Sequence, residues 1–268
     1  MKPPVRDPNW SDEVVEIWRN DLREIWDPSI ERHSFHCYHN QLDVYLDLAD
    51  RYRAQTVLDV GCAQGTLALT LAERGRSVTA IDIRPAFLEY ARSRWERGDV
   101  RFIAANIFDT PDLGTFDLVF ANQIIEHVVY PAELLRTLSR YVKPGGALVV
   151  TTPNHGYFRN PLPTYRELGD PKHHEHRQFS AGGGDHFFAY TEEELRDAAR
   201  EAGLQVAEVR YFESPWISGH FLFRFLHPLL PLRFLRAMDR LALKIAPRTV
   251  AHQLLVVMGF TGSIPSGN

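Results

Sequence analysis

Cysteine is almost missing from this 268-residue chain: Cys37 and Cys62 are its whole complement. Two thiols cannot staple a small secreted scaffold, and they suit a reducing compartment. No uncharged apolar run reaches the roughly 18 residues that a helix crossing a bilayer requires. The opening residues, Met1-Lys2-Pro3-Pro4-Val5-Arg6-Asp7-Pro8, carry no apolar signal core. A cytoplasmic location is the expectation. Excess positive charge is lacking too: 30 Lys and Arg against 34 Asp and Glu leave a net charge of −4 and a pI near 6.3. No global field therefore gathers nucleic acid, and no nucleic-acid partner is expected. Repeats and low-complexity tracts are absent. What is present, 44% apolar and 24% charged residues, is ordinary for a soluble globular protein. The length suits one large α/β domain or a domain with substantial insertions.

Hydrophobic patterning gives two helices first, over 11–26 and 33–52, split by Asp27-Pro28. Strands follow near 56–60, 77–82, 100–104, 116–121 and 146–152, with helices near 66–74, 85–97 and 131–142. Lys143-Pro144-Gly145-Gly146 stops the last of these helices and turns the chain into the fifth strand. Such alternation implies a mostly parallel sheet covered on both faces. Thr191, with Glu194 three residues on, marks another helix start as a capping box. That helix ends at Gly203, a strand runs from Leu204 to Tyr211, and a final strand, His252 to Met258, is expected as an antiparallel edge. Four segments result: helices over 1–55, a core over 56–152, a loop insertion rich in Pro, Gly, His and aromatics over 153–190, and the rest of the core over 191–268. An apolar, basic, helical stretch over 213–250 interrupts the last segment. Long segments outside a regular core are commonly lids or binding loops, so both irregular stretches are assigned to acceptor recognition.

The stretch Val57-Leu58-Asp59-Val60-Gly61-Cys62-Ala63-Gln64-Gly65 carries the densest chemistry. A strand runs into a tight Gly61…Gly65 turn and then directly into a helix. Glycine there lets backbone approach a ligand closely. Asp59 at the strand end would repel a phosphate and suits a cationic ligand group. Val78 to Asp82 is a second strand ending in an acid, placed some 20 residues after the turn to accept from ribose hydroxyls. A nicotinamide fingerprint would want G-x-G-x-x-G, but positions 63 and 66 are Ala and Thr.

The ordered set VLDVGCAQG (57–65), AIDI (80–83), FIAANIFD (102–109), FDLVFANQIIEHV (116–128), LSRYVKPGGALVVTTPN (138–154) and YTEEELRDAAREAGLQV (190–206) resembles class I S-adenosylmethionine-dependent methyltransferases of the ubiquinone-biosynthesis O-methyltransferase type. The resemblance implies a doubly wound, Rossmann-like sheet of seven strands in the order 3-2-1-4-5-7-6 with strand 7 antiparallel, preceded by helices that cap the cofactor site. It implies S-adenosylmethionine as cofactor, lying across the carboxyl ends of the strands. By position, Asp59, Gly61, Cys62, Ala63 and Gly65 would surround its methionine part and Asp82 its ribose. Ile83 and Ile107 would sandwich the adenine, Asn106 would meet the adenine amine, and Asn122 would lie beneath the methionine. Three departures stand out. Ala63 replaces the usual middle glycine, and Asn106 replaces the usual Asp. No arginine falls between Phe35 and Asp50 to pair with the cofactor carboxylate, which leaves His36, Tyr38, His39 or Gln41 as substitutes or as simple packing residues.

Methyl transfer is an in-line displacement at the sulfonium carbon, so positioning supplies much of the rate and a base helps only an acceptor with a proton to lose. Glu126 and His127 follow strand 4 and are the candidate catalytic residues; His127 is the expected base, with a structural histidine as the alternative. Some quinone-pathway relatives hold Mg²⁺ through E-x-x-E-H, but here Gln123 occupies the first position, and no metal is expected. His155, Tyr157, His174, His176, Asp185 and His186 are the candidate acceptor contacts. Arg233, Arg236, Arg240 and Lys244 form a basic helical stripe beside apolar residues, so 216–246 reads as a lid, a dimer contact or a peripheral membrane contact. The expected reaction is methylation of a small-molecule acceptor at a hydroxyl oxygen of a natural product, a sugar or glycolipid, or a quinone-type phenol. Methylation at nitrogen or carbon, or a catalytically silent cofactor-binding subunit, are the rivals.

Overall fold

The computed structural model describes residues 1–178 and 188–260. Seven strands lie in the order β3-β2-β1-β4-β5-β7-β6, and the chain clusters into two compact units.

The first unit comprises residues 1–113 and 213–241. Strands β1 (Thr56–Val60), β2 (Ser77–Asp82) and β3 (Asp99–Ala104) run parallel, with Asp59 opposite Ala80, and Ile81 opposite both Val60 and Ile103. Parallel strands buried on both faces read as continuous apolar runs, as Val57, Leu58 and Val60 do. Helix α3 (Thr66–Glu73) starts directly from Gly65, and α4 (Pro85–Arg94) starts on a proline, whose missing N–H costs nothing at that position. The pattern suggests α4 to residue 97; it stops three residues earlier, where Trp95 turns extended. Ahead of the strands come α1 (Asp12–Asp21), a one-turn π-helix (Leu22–Trp26) and α2 (Arg32–Arg51). Ser11 caps α1 by accepting from the Val14 N–H.

The second unit comprises 114–212 and the chain from 242. Strand β4 (Phe116–Asn122) pairs in parallel with β5 (Val142–Pro153), and α5 (Pro131–Ser139) links them. Lys143-Pro144-Gly145-Gly146 does not precede β5, as the composition suggests, but lies inside it. The register slips between Phe116 and Leu118, and this bulge absorbs the four residues. Helix α6 (Glu192–Glu201) carries the full reciprocal capping box between Thr191 and Glu194. Strand β7 (Gln253–Gly259) is antiparallel, but it is not an edge. It lies between β5 and β6 (Gln205–Phe212), paired antiparallel to both. The composition agrees: β7 is buried at every position, whereas β6 alternates with Gln205, Glu208 and Arg210 and closes the sheet. Later helices are α7 (Pro215–Ser218), α8 (Leu232–Ile245) and α9 (Pro247–Val250). Among the described residues, no helix is long and apolar enough to cross a membrane.

Candidate functional site

At the carboxyl ends of β1 to β3 the first unit gathers Asp59, Asp82 and the turn holding Asn106 and Ile107. Parallel register is the cause: strands that start level and run the same way deliver their terminal residues to one rim. The glycine turn is pinned from below. The Gly61 and Cys62 N–H groups donate to the Ile81 carbonyl at 2.8 and 3.1 Å, and Gly65 N–H donates to the Cys62 carbonyl at 2.8 Å. Gly65 sits at φ +77° with only 2.8 Å from a would-be Cβ to the Ala91 Cβ, so glycine is required on both counts. Ala63 holds φ +45°, a left-handed conformation in which the usual glycine would be unstrained.

Asp82 is buried, and its carboxylate ties the turn to β2. One oxygen accepts from the Ala63 N–H and the other from the Arg84 N–H, each at 2.9 Å. Burial raises its pKa, and these two donors work against the rise. Asp59 differs. It is 3% exposed, its Oδ2 has no hydrogen-bond partner, and burial together with the nearby Asp82 charge pushes its pKa up to about 7. A buried carboxylate missing a donor suits a ligand that brings positive charge, as the sulfonium and ammonium of S-adenosylmethionine would. The residues present therefore fit that cofactor. The Cys62 thiol is buried and held protonated, chiefly by desolvation.

On the adenine side, Ile83 is exposed and Ile107 buried. The Asn106 oxygen accepts from the Phe108 N–H at 3.0 Å, starting the turn Ile107–Asp109. One lone pair of that oxygen and the amide hydrogens remain for a ligand.

The N-terminal helices contribute residues that patterning did not single out. Arg94, at the last turn of α4, is fully buried, and its Nη1 lies 2.9 Å from Asp21 Oδ1. The same nitrogen donates to the Gln64 carbonyl and the Thr66 hydroxyl, both at 3.0 Å. Asp21 accepts in turn from Tyr90 and Trp26, both at 2.8 Å. One guanidinium thus clamps the glycine turn and the start of α3 to the end of α1, where the π-helix begins, an irregularity common at functional sites. Gln64 reaches the same segment from the other direction, donating to Glu24 at 2.9 Å. Glu24 is buried and pushed up to about 7, and Tyr38 bonds to it. The remaining substitutes for a carboxylate-binding arginine are taken up locally. His39 contacts the Ile25 carbonyl at 3.0 Å, Gln41 donates to Glu213, and the His36 ring packs 5.2 Å from that of His227. Arg94 escapes a sequence reading because a basic residue ending a helix is ordinary at a solvated surface. Only its zero exposure marks it.

In the second unit, Asn122 ends β4 and accepts from the Thr151 hydroxyl at 3.2 Å. Gln123 donates to Gln253 at 2.8 Å from a backbone at φ +54°. The turn Ile125–His127 buries Glu126 completely while His127 is half-buried. Burial pushes Glu126 up to about 8; Thr152 lies near enough to lower it, but no donor reaches either oxygen in hydrogen-bond geometry. Burial thus favours the neutral acid form of Glu126. His155 is half-buried, and Tyr157 is buried against the His252 ring at 5.4 Å. His174 contacts the Leu168 carbonyl at 3.3 Å, while His176 is exposed on the turn Pro171–Arg177. Asp185 and His186 lie outside the described residues. Among the described residues, no three His, Cys, Asp or Glu side chains gather in a way that could hold a metal ion.

Residues 18–209 match the family model described as a methyltransferase domain. The chain belongs to that methyltransferase family. The methyltransferase is 34% identical over 191 residues to a ubiquinone biosynthesis O-methyltransferase of Pseudomonas aeruginosa, covering 69% of this chain and 79% of that protein. A protein of the same name from Pseudomonas paraeruginosa is 38% identical over 140 residues, which span 51% of this chain and 59% of the relative. In fold it is similar to magnesium protoporphyrin IX methyltransferase from Synechocystis with bound S-adenosylhomocysteine (TM-score 0.57, 13% identity, 93% of this chain and 95% of that one). It is thus an S-adenosylmethionine-dependent methyltransferase of the class I fold.

Proposed function

We propose that this methyltransferase moves the methyl group of S-adenosylmethionine onto a hydroxyl oxygen of a small molecule, with a quinone-type phenol as the leading acceptor. The observation that carries the reading is the match over most of the chain to relatives named ubiquinone biosynthesis O-methyltransferase. The first unit supplies binding: Asp59 faces the positive charge of the donor, Asp82 holds the turn and the ribose, and Gly65 lets α3 start close by.

A phenol must lose its proton as the new O–C bond forms, and a base near the operating pH adds roughly 10²–10⁴-fold. We assign that task to His127. It is half-buried on the turn after β4, whereas the adjacent Glu126 is sealed from solvent and its burial favours the neutral form. Glu126 instead serves as packing for the turn that presents His127.

The test is to incubate the full chain with methyl-labelled S-adenosylmethionine and separate panels of catechols, sugars and amines. Label is expected on a phenolic oxygen, and His127→Ala is expected to lower kcat with little change in donor affinity. Label appearing only on nitrogen or carbon would overturn the assignment of the atom. Donor binding with no transfer to any panel would mark a silent subunit.

A further inference from the structure

Residues 214–246 contain five Lys and Arg and a single acid, Asp239. That acid is buried, where it accepts from the Ser214 N–H at 2.7 Å. The charge this segment shows to solvent is therefore of one sign. Arg236 pairs with Asp43 at 2.7 Å, while Arg224, Arg233, Arg240 and Lys244 are exposed. Large apolar side chains stand beside them in the open: Leu222, Phe225, Leu229, Phe234, Leu241 and Ile245 are 43–75% exposed.

Helix α8 arranges these groups in rows. Leu235 and Asp239, one turn apart, form its buried side. At 100° per residue, Phe234, Leu241 and Ile245 share one outward row, and Arg233, Arg240 and Lys244 share the next. Preceding α8, Phe225 and Leu229 add further exposed apolar surface, and Arg224 lies 4.9 Å from the Phe225 ring. A scattered exposed leucine means little, but a cluster bordered by like charges marks an interaction surface.

The charge decides among occupants. A symmetric contact with a second copy would set this patch against itself and bring Arg233, Arg240 and Lys244 against their own copies, with no exposed acid in the segment to separate them and Asp43 already paired to Arg236. A surface of phosphate headgroups over hydrocarbon complements both rows at once: the basic row meets phosphate and the apolar row enters the acyl boundary. We propose that residues 222–245 dock this methyltransferase on an anionic phospholipid surface, with α8 lying in the plane of the membrane.

The full chain is tested without methyl donor against vesicles of phosphatidylcholine, with and without phosphatidylglycerol, by flotation. Binding is expected only where phosphatidylglycerol is present, weakening as salt is raised. The triple variant Arg233→Glu, Arg240→Glu, Lys244→Glu is expected to lose at least roughly 100-fold in vesicle affinity, taking about fivefold for each basic residue at the surface. Its melting curve and S-adenosylhomocysteine affinity are expected to match the parent, so a folding defect is separated from lost docking. Three results would overturn the proposal: no flotation of the parent chain, equal flotation with uncharged vesicles, or a dimer in sedimentation that the triple variant dissociates. None of these bears on methyl transfer, which is assayed without lipid.

Discussion

Replacing Arg94 by Met tests the reading that the N-terminal helices are clamped to the cofactor turn by one buried ion pair. Methionine keeps most of the aliphatic stem, so the change isolates the charge. Both partners are fully buried, and removing one side of such a pair costs about 3–5 kcal/mol because the other is stranded. Asp21 retains the Tyr90 and Trp26 donors, which favours the lower part of that range. The Gln64 carbonyl and Thr66 hydroxyl lose a donor as well; these losses share one group and do not simply add. The pH dependence has a definite sign. Burial raises the Asp21 pKa and Arg94 opposes the rise, so without Arg94 the folded-state value moves further above the unfolded one. Stability from a raised carboxyl is fully present below the unfolded value, near 4, and is lost as pH climbs toward the folded value. Urea denaturation of Arg94→Met should therefore show a larger deficit at pH 8 than at pH 5. The double variant Asp21→Asn, Arg94→Met should recover a good part of it, because no buried charge remains. Calorimetry should show weaker S-adenosylhomocysteine binding by the single variant, since the turn has lost its anchor. A deficit below about 1 kcal/mol at pH 8, or one independent of pH, would refute the reasoning.

Asp59→Asn removes the carboxylate that faces the donor's positive charge, and a charge-assisted contact of about 1.5–3 kcal/mol predicts roughly 10- to 100-fold weaker S-adenosylmethionine binding. In the parent, the affinity should rise as pH passes through about 7, where Asp59 ionises; an affinity flat from pH 6 to 8 in calorimetry would contradict this. For Glu126, the folded-state pKa of about 8 lies above the usual 4.5, so it stabilises the fold fully below pH 4.5 and that contribution is lost toward pH 8. Thermal melts of Glu126→Gln should flatten this decline, and an unchanged slope would mean the carboxyl is not buried as described. Gly65→Ala must place a Cβ 2.8 Å from Ala91 at φ +77°, and a loss on the order of 2–3 kcal/mol is expected in urea titration. Ala63→Gly, at φ +45°, should be within about 1 kcal/mol of the parent.

Periodicity and local chemistry settled much of this protein in advance. Apolar runs such as Thr56–Val60, followed by glycine and a helical pattern, specify a buried parallel strand and its turn without reference to the rest of the chain. The Thr191–Glu194 box and the prolines opening α4 and α5 are likewise local, because caps involve only neighbouring residues. Asp59, Gly65 and Asp82 stood out as candidates because one strand–turn–helix–strand unit carries both the backbone geometry and the charges. What the tertiary structure alone decided depends on residues far apart in sequence. Arg94 is solvent-like by position, yet it is buried because Asp21, Gln64 and Thr66 converge on it. Glu126 and His127 are adjacent and equally plausible as text, and only packing seals one and leaves the other half-open. The interior place of β7 follows from its pairing with β5 and β6. Sequence fixes what each segment can become, whereas burial is a property of the assembled neighbours, and it is burial that sets which of these charges stay ionised.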